Sequence, residues 1–369
     1  MTEVSSLIHA IWDRDKVLSI ANFLTLTSFF LLTVFGLIMI TSVTYFGKEG
    51  ADYISFVAKQ AGGVVIGALL GLLLSRLKRA YEFNSWALPV TACILVFLPV
   101  LLEHEVRGTF RWIRLGPLNF QPGEIAKVLF IIFLSDFWGV VRKGFYRNFF
   151  APFLVFSLLV LGFYFQKDLG GMVTVGIIFF AGLFIVLRNT LVLFFTVSIF
   201  IIFVAFSVLS EPYRVDRIKS FLDPHKDPFG SGYQAIQSFS AFREGGIFGK
   251  GLGMSSKKIS SLPASHTDFI FAVIGEELGL IGCLGVVTLF FILCFGLFVR
   301  GFIFFGLRKL SILNTLSSLF IAVHAILNVM VVLGYIPTKG LPLPFISYGG
   351  SVAMSFSCLV VYTLFLKWR

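Results

Sequence analysis

The feature that most constrains this chain is a succession of about ten apolar stretches, each close to the length that crosses a bilayer. The hydrocarbon core is about 30 Å thick and a helix rises about 1.5 Å per residue, so a spanning helix needs about 20 apolar residues. Such stretches run near 18–43, 57–77, 86–102, 125–141, 150–165, 172–187, 190–209, 268–299, 312–333 and 349–367. A soluble fold has no interior large enough to hide them: 57% of the residues are hydrophobic, 46 are Phe, and only 13% are charged, about half the usual share. The expected fold is an all-α integral membrane protein, one polytopic unit over residues 1–369 without linker or internal repeat.

Lys and Arg in short loops set the expected orientation, because positive loops stay in the cytoplasm. Arg14 and Lys16 precede the first span. Arg76, Lys78 and Arg79 follow the second, Arg142, Lys143 and Arg147 the fourth, Arg188 the sixth, Arg300, Arg308 and Lys309 the eighth, and Lys367 and Arg369 the last. All fall on one side, which puts both termini in the cytoplasm. A short loop near Glu103–Glu124 and a large one near 210–267, between the seventh and eighth spans, then lie outside. The short outer loop breaks the charge rule with Arg107, Arg111 and Arg114, so it calls for a local anionic partner. The first span is too long for a cleavable signal core. Before it, Val4, Leu7, Ile8, Ile11 and Trp12 have the spacing of a helix lying on the membrane surface.

The net charge of +11 has no nucleic-acid-binding motif beside it. In a membrane chain it points to anionic headgroups or a phosphate-bearing lipid. Cys93, Cys283, Cys294 and Cys358 all fall inside apolar stretches and have no CxxC spacing, so they read as packing residues.

The outer loops carry five unusual stretches. GTFRWIRLGPLNFQPGEIAK (Gly108–Lys127) mixes Arg111, Trp112 and Arg114, as interfacial anchors or as an anion site, and sets Glu124 and Lys127 one helical turn apart. QKDLGG (Gln166–Gly171) holds Asp168, a helix cap or a functional carboxylate. In Tyr213–Gly246, Arg214, Arg217, Lys219 and Arg243 lie among aromatics and turn formers. GKGLGMSSKK follows, where glycines beside lysines suit either a phosphate or a plain turn. LPASHTDFIFAVIGEELGLIG (Leu262–Gly282) places Asp268 where the loop enters a long apolar helix, and desolvation there makes a carboxylate a better base. Glu276 is about 12 Å further along the same helix. The adjacent carboxylates Glu276 and Glu277 are either functional or a structural ion pair. GYIPTKGLPLPFISYGGS (Gly334–Ser351) is non-helical backbone between two spans, tolerated at membrane level only against protein or a watery cavity.

Together these stretches resemble the SEDS (shape, elongation, division and sporulation) family over nearly the whole chain. GLGMSSKK and AVIGEELG resemble its division and sporulation branch. The sequence departs from the family pattern at Gly123 (usually Ser), Lys167 (Pro), Gly171 (Thr), near Ala264 or Ser265 (Glu), and at Val352 (Ser). The resemblance implies a glycosyltransferase that polymerises lipid II into peptidoglycan at the outer face of the bacterial cytoplasmic membrane, at the division septum. Asp268 matches the catalytic Asp. It implies Arg111, Arg214, Arg217, Lys257 and Lys339 for the pyrophosphate and headgroups, and Trp112, Glu124, Lys127, Asp168, Gln234, His266 and Ser347 as further substrate-binding positions. It also implies undecaprenyl pyrophosphate-linked glycan as donor and a class B penicillin-binding protein, with other division proteins, as partners. A divalent cation, Mg or Mn, is a further expectation, although no multi-carboxylate cage is visible. The competing functions are a polymerase of the elongation branch, a lipid II flippase, a scaffold without chemistry, and an ion-coupled transporter using Asp168 and the Glu pair; the last needs repeat symmetry.

Overall fold

The computed structural model describes residues 14–45, 52–80, 86–103, 105, 108–116, 118–140, 145–187, 189–228, 230, 232–256, 265–338 and 340–366. The surface helix expected near Val4–Trp12, and the loop residues Arg107, Arg188, Lys257 and Lys339, lie outside them. In chain order the elements are α1 (Arg14–Tyr45), α2 (Tyr53–Ala80), α3 (Ala87–Leu101), β1 (Ile113–Leu115), β2 (Leu118–Phe120), α4 (Pro122–Gly139), α5 (Phe145–Phe165), α6 (Leu169–Leu187), α7 (Thr190–Leu209), α8 (Pro212–Leu222), α9 (Tyr233–Gly245), α10 (Ile270–Ile303), α11 (Arg308–Val332) and α12 (Gly350–Phe365). Among the described residues, ten apolar helices fall where the ten apolar stretches lie. Seven of them, α1, α2, α5, α6, α7, α10 and α11, are long and apolar enough to cross a membrane. α3 and α12 are shorter, and α4 carries Glu124, Lys127 and Asp136. Large apolar side chains such as Phe23, Leu69, Phe194 and Phe291 are mostly exposed, as lipid contact requires. The chain is an all-α multi-pass membrane protein.

Two sets of contacts organise the packing. α4 is buried along nearly its whole length from Pro122 to Trp138, and α3, α11 and α12 surround it. α2 meets α12 through Gly63, Gly67 and Gly71. A Cβ at these positions would lie 2.5, 2.2 and 2.5 Å from the carbonyl oxygens of Gly350, Met354 and Cys358. Small residues every fourth position let two backbones touch where lipid provides no hydrophobic drive.

Three features go beyond the expected arrangement. The α3–α4 loop folds into an antiparallel ribbon, β1 on β2, with Ile113 opposite Phe120 and Gly116 at φ +60° in the turn. Among its described residues, the long loop between α7 and α10 contains two α-helices and a 3-10 turn at Pro224–Lys226, and α8 starts with Pro212 in its first turn, where a missing N–H is harmless. The eighth span is not one continuous helix: α10 is interrupted at Gly279, with φ 65° and ψ −162°.

Candidate functional site

The N-termini of α4, α6, α10 and α12 meet at one end of the bundle. At the start of α4, Gln121 N donates to Ser351 Oγ of α12 (2.9 Å). At the start of α6, a Cβ on Gly170 would lie 2.8 Å from Leu341 of the α11–α12 loop. Each helix N-terminus carries about half a positive charge, so this end attracts anions before any side chain is counted.

Asp168 is the N-cap of α6: Oδ1 accepts from Gly171 N (3.0 Å). The same oxygen receives Arg111 Nη1 at 3.5 Å. Asp168 is therefore a local cap that also contacts Arg111. Asp268 lies two residues before α10 and is half-buried. The N-cap position itself is Phe269, without a side-chain cap. Asp268 and Arg111 face one another across Gly340, where an added Cβ would lie 3.5 Å from Asp268 Oδ2 and 3.9 Å from Arg111 Nη1. The Asp268 carboxylate and the Arg111 guanidinium thus both lie beside Gly340.

The frame beneath Asp268 comes from buried polar side chains. Asn328 of α11 donates to the carbonyls of Asp268 (2.9 Å) and Leu341 (2.7 Å). Ser347 Oγ donates to Thr267 O (2.6 Å) and accepts from Leu343 N (2.7 Å). Tyr348 N donates to His266 O (2.8 Å), and the His266 ring lies against Phe56 and Tyr348. Gln60 of α2 donates to Ser347 O (3.1 Å) and accepts from Gly349 N (3.0 Å). Asn328 and Gln60 were not among the sequence candidates. The available signal was a lone amide in an apolar span, which is costly unless it bonds.

The other candidates take different places. Trp112 is half-buried beside Arg111, and Gln234 is half-buried in the first turn of α9. Glu124 and Lys127 form a buried pair at 2.7 Å in the first turn of α4, with the ammonium 5.9 Å from the Phe320 ring centre. Arg214 is buried and turns onto the last turn of α7, donating to Ser207 O and to Ser207 Oγ (2.6 Å). That is a favourable end for a cation. Arg217 Nη1 donates to Thr338 O (3.0 Å) and lines a cavity of about 220 Å³ with Phe221, Phe239 and Ile336. Among the described residues no three His, Cys, Asp or Glu side chains converge.

The break in α10 is closed by the glycine-rich loop. Lys250 N and Gly251 N donate to the freed carbonyls of Glu276 and Glu277, both at 2.9 Å, while Leu280 N and Ile281 N donate to Gly246 O and Ile247 O at 2.9 and 3.3 Å. The Lys250 and Gly251 N–H groups of this loop thus cap the broken helix. Glu276 forms an ion pair with Lys250 at 2.9 Å. Hydrogen bonds to Glu244 first and Glu276 second hold the Lys250 ammonium above its ordinary range.

Three departures from the family pattern have local explanations. Gly123 and Gly171 both abut Phe163, whose ring atoms would lie 2.9 and 2.6 Å from an added Cβ, so glycine at both makes room for one ring. Lys167 has φ +59°, which proline with φ near −65° cannot adopt, and it pairs with Glu211 at 3.3 Å.

Fold and site together define a polytopic helical membrane protein with a polar, anion-attracting site at one end of its bundle. The sequence matches the family described as "Cell cycle protein" (FtsW, RodA, SpoVE) over residues 22–366, and the chain belongs to that family. It is 35% identical over 366 residues to a probable peptidoglycan glycosyltransferase FtsW of Nitrosomonas europaea, covering 94% of this chain and 92% of the relative. It is 38% identical over 312 residues to the protein of that name from Aliivibrio salmonicida, covering 79% and 75%. Among solved structures it resembles a chain from work on the structural coordination of polymerization and crosslinking by a peptidoglycan synthase complex, with TM-score 0.71, 26% identity, and 91% and 96% coverage. The rod shape determining protein RodA of Thermus thermophilus shares the fold, with TM-score 0.65, 23% identity, and 92% and 94% coverage.

Proposed function

We propose that this chain is a peptidoglycan glycosyltransferase that polymerises lipid II into glycan strands. The observation that carries the proposal is Asp268 facing Arg111 across Gly340, inside a ring of helix N-termini. Asp268 removes the proton from the 4-hydroxyl of a lipid II GlcNAc. The new O4–C1 bond forms as the bond from the donor MurNAc C1 to pyrophosphate oxygen breaks, and its electron pair leaves with undecaprenyl pyrophosphate. Attack from the opposite face turns an α linkage into β. Arg111, Arg217 and the helix N-termini offset the charge that develops on the leaving group. Asn328 and Ser347 hold the backbone on both sides of Asp268.

The ten helices are taken as ten spans, with both termini in the cytoplasm and the 210–267 loop outside, which puts the site at the outer face. The FtsW names of the relatives favour division over elongation, hence the septum. The likeness to a chain of a peptidoglycan synthase complex favours a class B penicillin-binding protein as partner.

The test is polymerisation of purified lipid II by the Asp268→Asn protein, with and without that transpeptidase. A positioned base contributes about 10²–10⁴-fold in rate, so the variant inserts and binds lipid II but forms almost no glycan. Near-wild-type polymerisation by Asp268→Asn refutes the base assignment. A wild-type protein that moves lipid II across vesicles but polymerises none is a flippase.

A further inference from the structure

The proposed chemistry leaves Glu276 unused, yet the structure gathers four donors on this buried carboxylate. Lys250 Nζ (2.9 Å), Ser256 N (3.0 Å), Ser256 Oγ (2.9 Å) and Ser255 Oγ all donate to it, and Lys250 is tied in turn to Glu244. The adjacent Glu277 turns the other way and accepts from Ser42 of α1 at 2.9 and 2.7 Å.

The break at Gly279 gives these contacts their consequence. The short piece Ile270–Leu278 does not inherit the rigidity of the long piece that follows, because the helical hydrogen-bond ladder stops between them. It is held from the side. α9 packs on it with Gly245 so close to Gly275 that a Cβ on Gly245 would lie 1.9 Å from Gly275 O, and Phe242 meets Phe271 edge-on at 6.1 Å. The loop closes its lower end through two backbone bonds, Lys250 N to Glu276 O and Gly251 N to Glu277 O, while Leu280 N and Ile281 N tie the following piece to the same loop; Glu276 locks the loop's side chains. At the upper end stands Asp268. Eight residues at about 1.5 Å each put the two carboxylates about 12 Å apart, too far for Glu276 to touch a substrate atom held by Asp268.

We infer that Glu276 is a positioning residue for Asp268: it latches the 246–256 loop to the Ile270–Leu278 segment and thereby sets where the base stands. The inference rests on Asp268 being the base. A carboxylate suits the task because it presents only acceptors to a set of donors. An amide of the same size turns an NH₂ toward Lys250 or the serines.

The experiment uses the full-length protein with lipid II. Glu276→Gln lowers turnover at least tenfold while KM for lipid II stays within about threefold, because Arg111 and Arg217 do not move. A second variant replaces the polar latch by a covalent one. Lys250 and Glu276 are bridged by a backbone hydrogen bond, which brings their Cα atoms within disulfide range. Lys250→Cys with Glu276→Cys is therefore slow when reduced and regains most of the wild-type turnover when oxidised. Equal turnover of the oxidised and reduced forms overturns the inference, as does wild-type turnover by Glu276→Gln. A Glu276→Gln loss that tracks lost thermal stability and lost lipid II binding assigns the cluster to stability alone and overturns it too. Asp268→Asn run in parallel separates the two ideas: activity retained there refutes the base, whatever the disulfide does.

Discussion

Two neighbouring glycines of α2 should respond oppositely to one added methyl group. A Cβ at Gly63 would lie 2.5 Å from Gly350 O and 3.1 Å from Gly350 Cα, whereas a Cβ at Gly62 meets nothing within 4 Å. Carbon and carbonyl oxygen rest about 3.3–3.6 Å apart, so Gly63→Ala forces α2 and α12 to separate by roughly 1 Å. A gap of about that size forfeits a quarter to a half of each contact along the seam. Both substitutions gain the same helix propensity, about 0.5–1 kcal/mol, and this cancels in the comparison. The difference is the overpacking alone, about 1–3 kcal/mol, which is roughly a fivefold to 150-fold change in the folded ratio at 1.4 kcal/mol per decade. Thermal unfolding in detergent, read by loss of monodisperse protein, measures it, with Gly62→Ala at or above wild type. A Gly63→Ala protein as stable as Gly62→Ala refutes the backbone-contact explanation of the seam.

Three further outcomes follow from the same geometry. Lys127→Met strands a buried carboxylate and lowers stability by about 3–5 kcal/mol, whereas Glu124→Gln with Lys127→Met recovers most of it; a double-mutant cycle on unfolding checks the coupling. Arg111→Ala and Arg217→Ala each weaken lipid II turnover in the purified assay without preventing insertion, and full activity in both makes these side chains interfacial anchors only. A reporter fused after Lys309 reads as cytoplasmic and one inserted near Gly230 as external; the opposite result moves every site group to the cytosol.

The amino-acid sequence by itself determined the class of fold and the place of each apolar helix, because bilayer thickness acts on short continuous stretches. It also made the cap at Asp168 and the Glu124–Lys127 pair available as readings, since these contacts join residues three apart. What only the tertiary structure decided are contacts between distant parts of the chain. EELGLIG reads as uninterrupted helix, and the break at Gly279 is stable only because residues 246–251 take up the freed carbonyls and N–H groups. Glu276 reads as functional or structural until its partner appears 26 residues away. That Arg214 turns back onto Ser207 at the end of α7 is likewise invisible along the chain. Gln60 and Asn328 read as stray amides until the α11–α12 loop brings them carbonyls and an N–H. Buried polar groups must be paired, but pairing depends on which groups the fold brings within about 3 Å, and that distance is set by helix packing rather than by position along the chain.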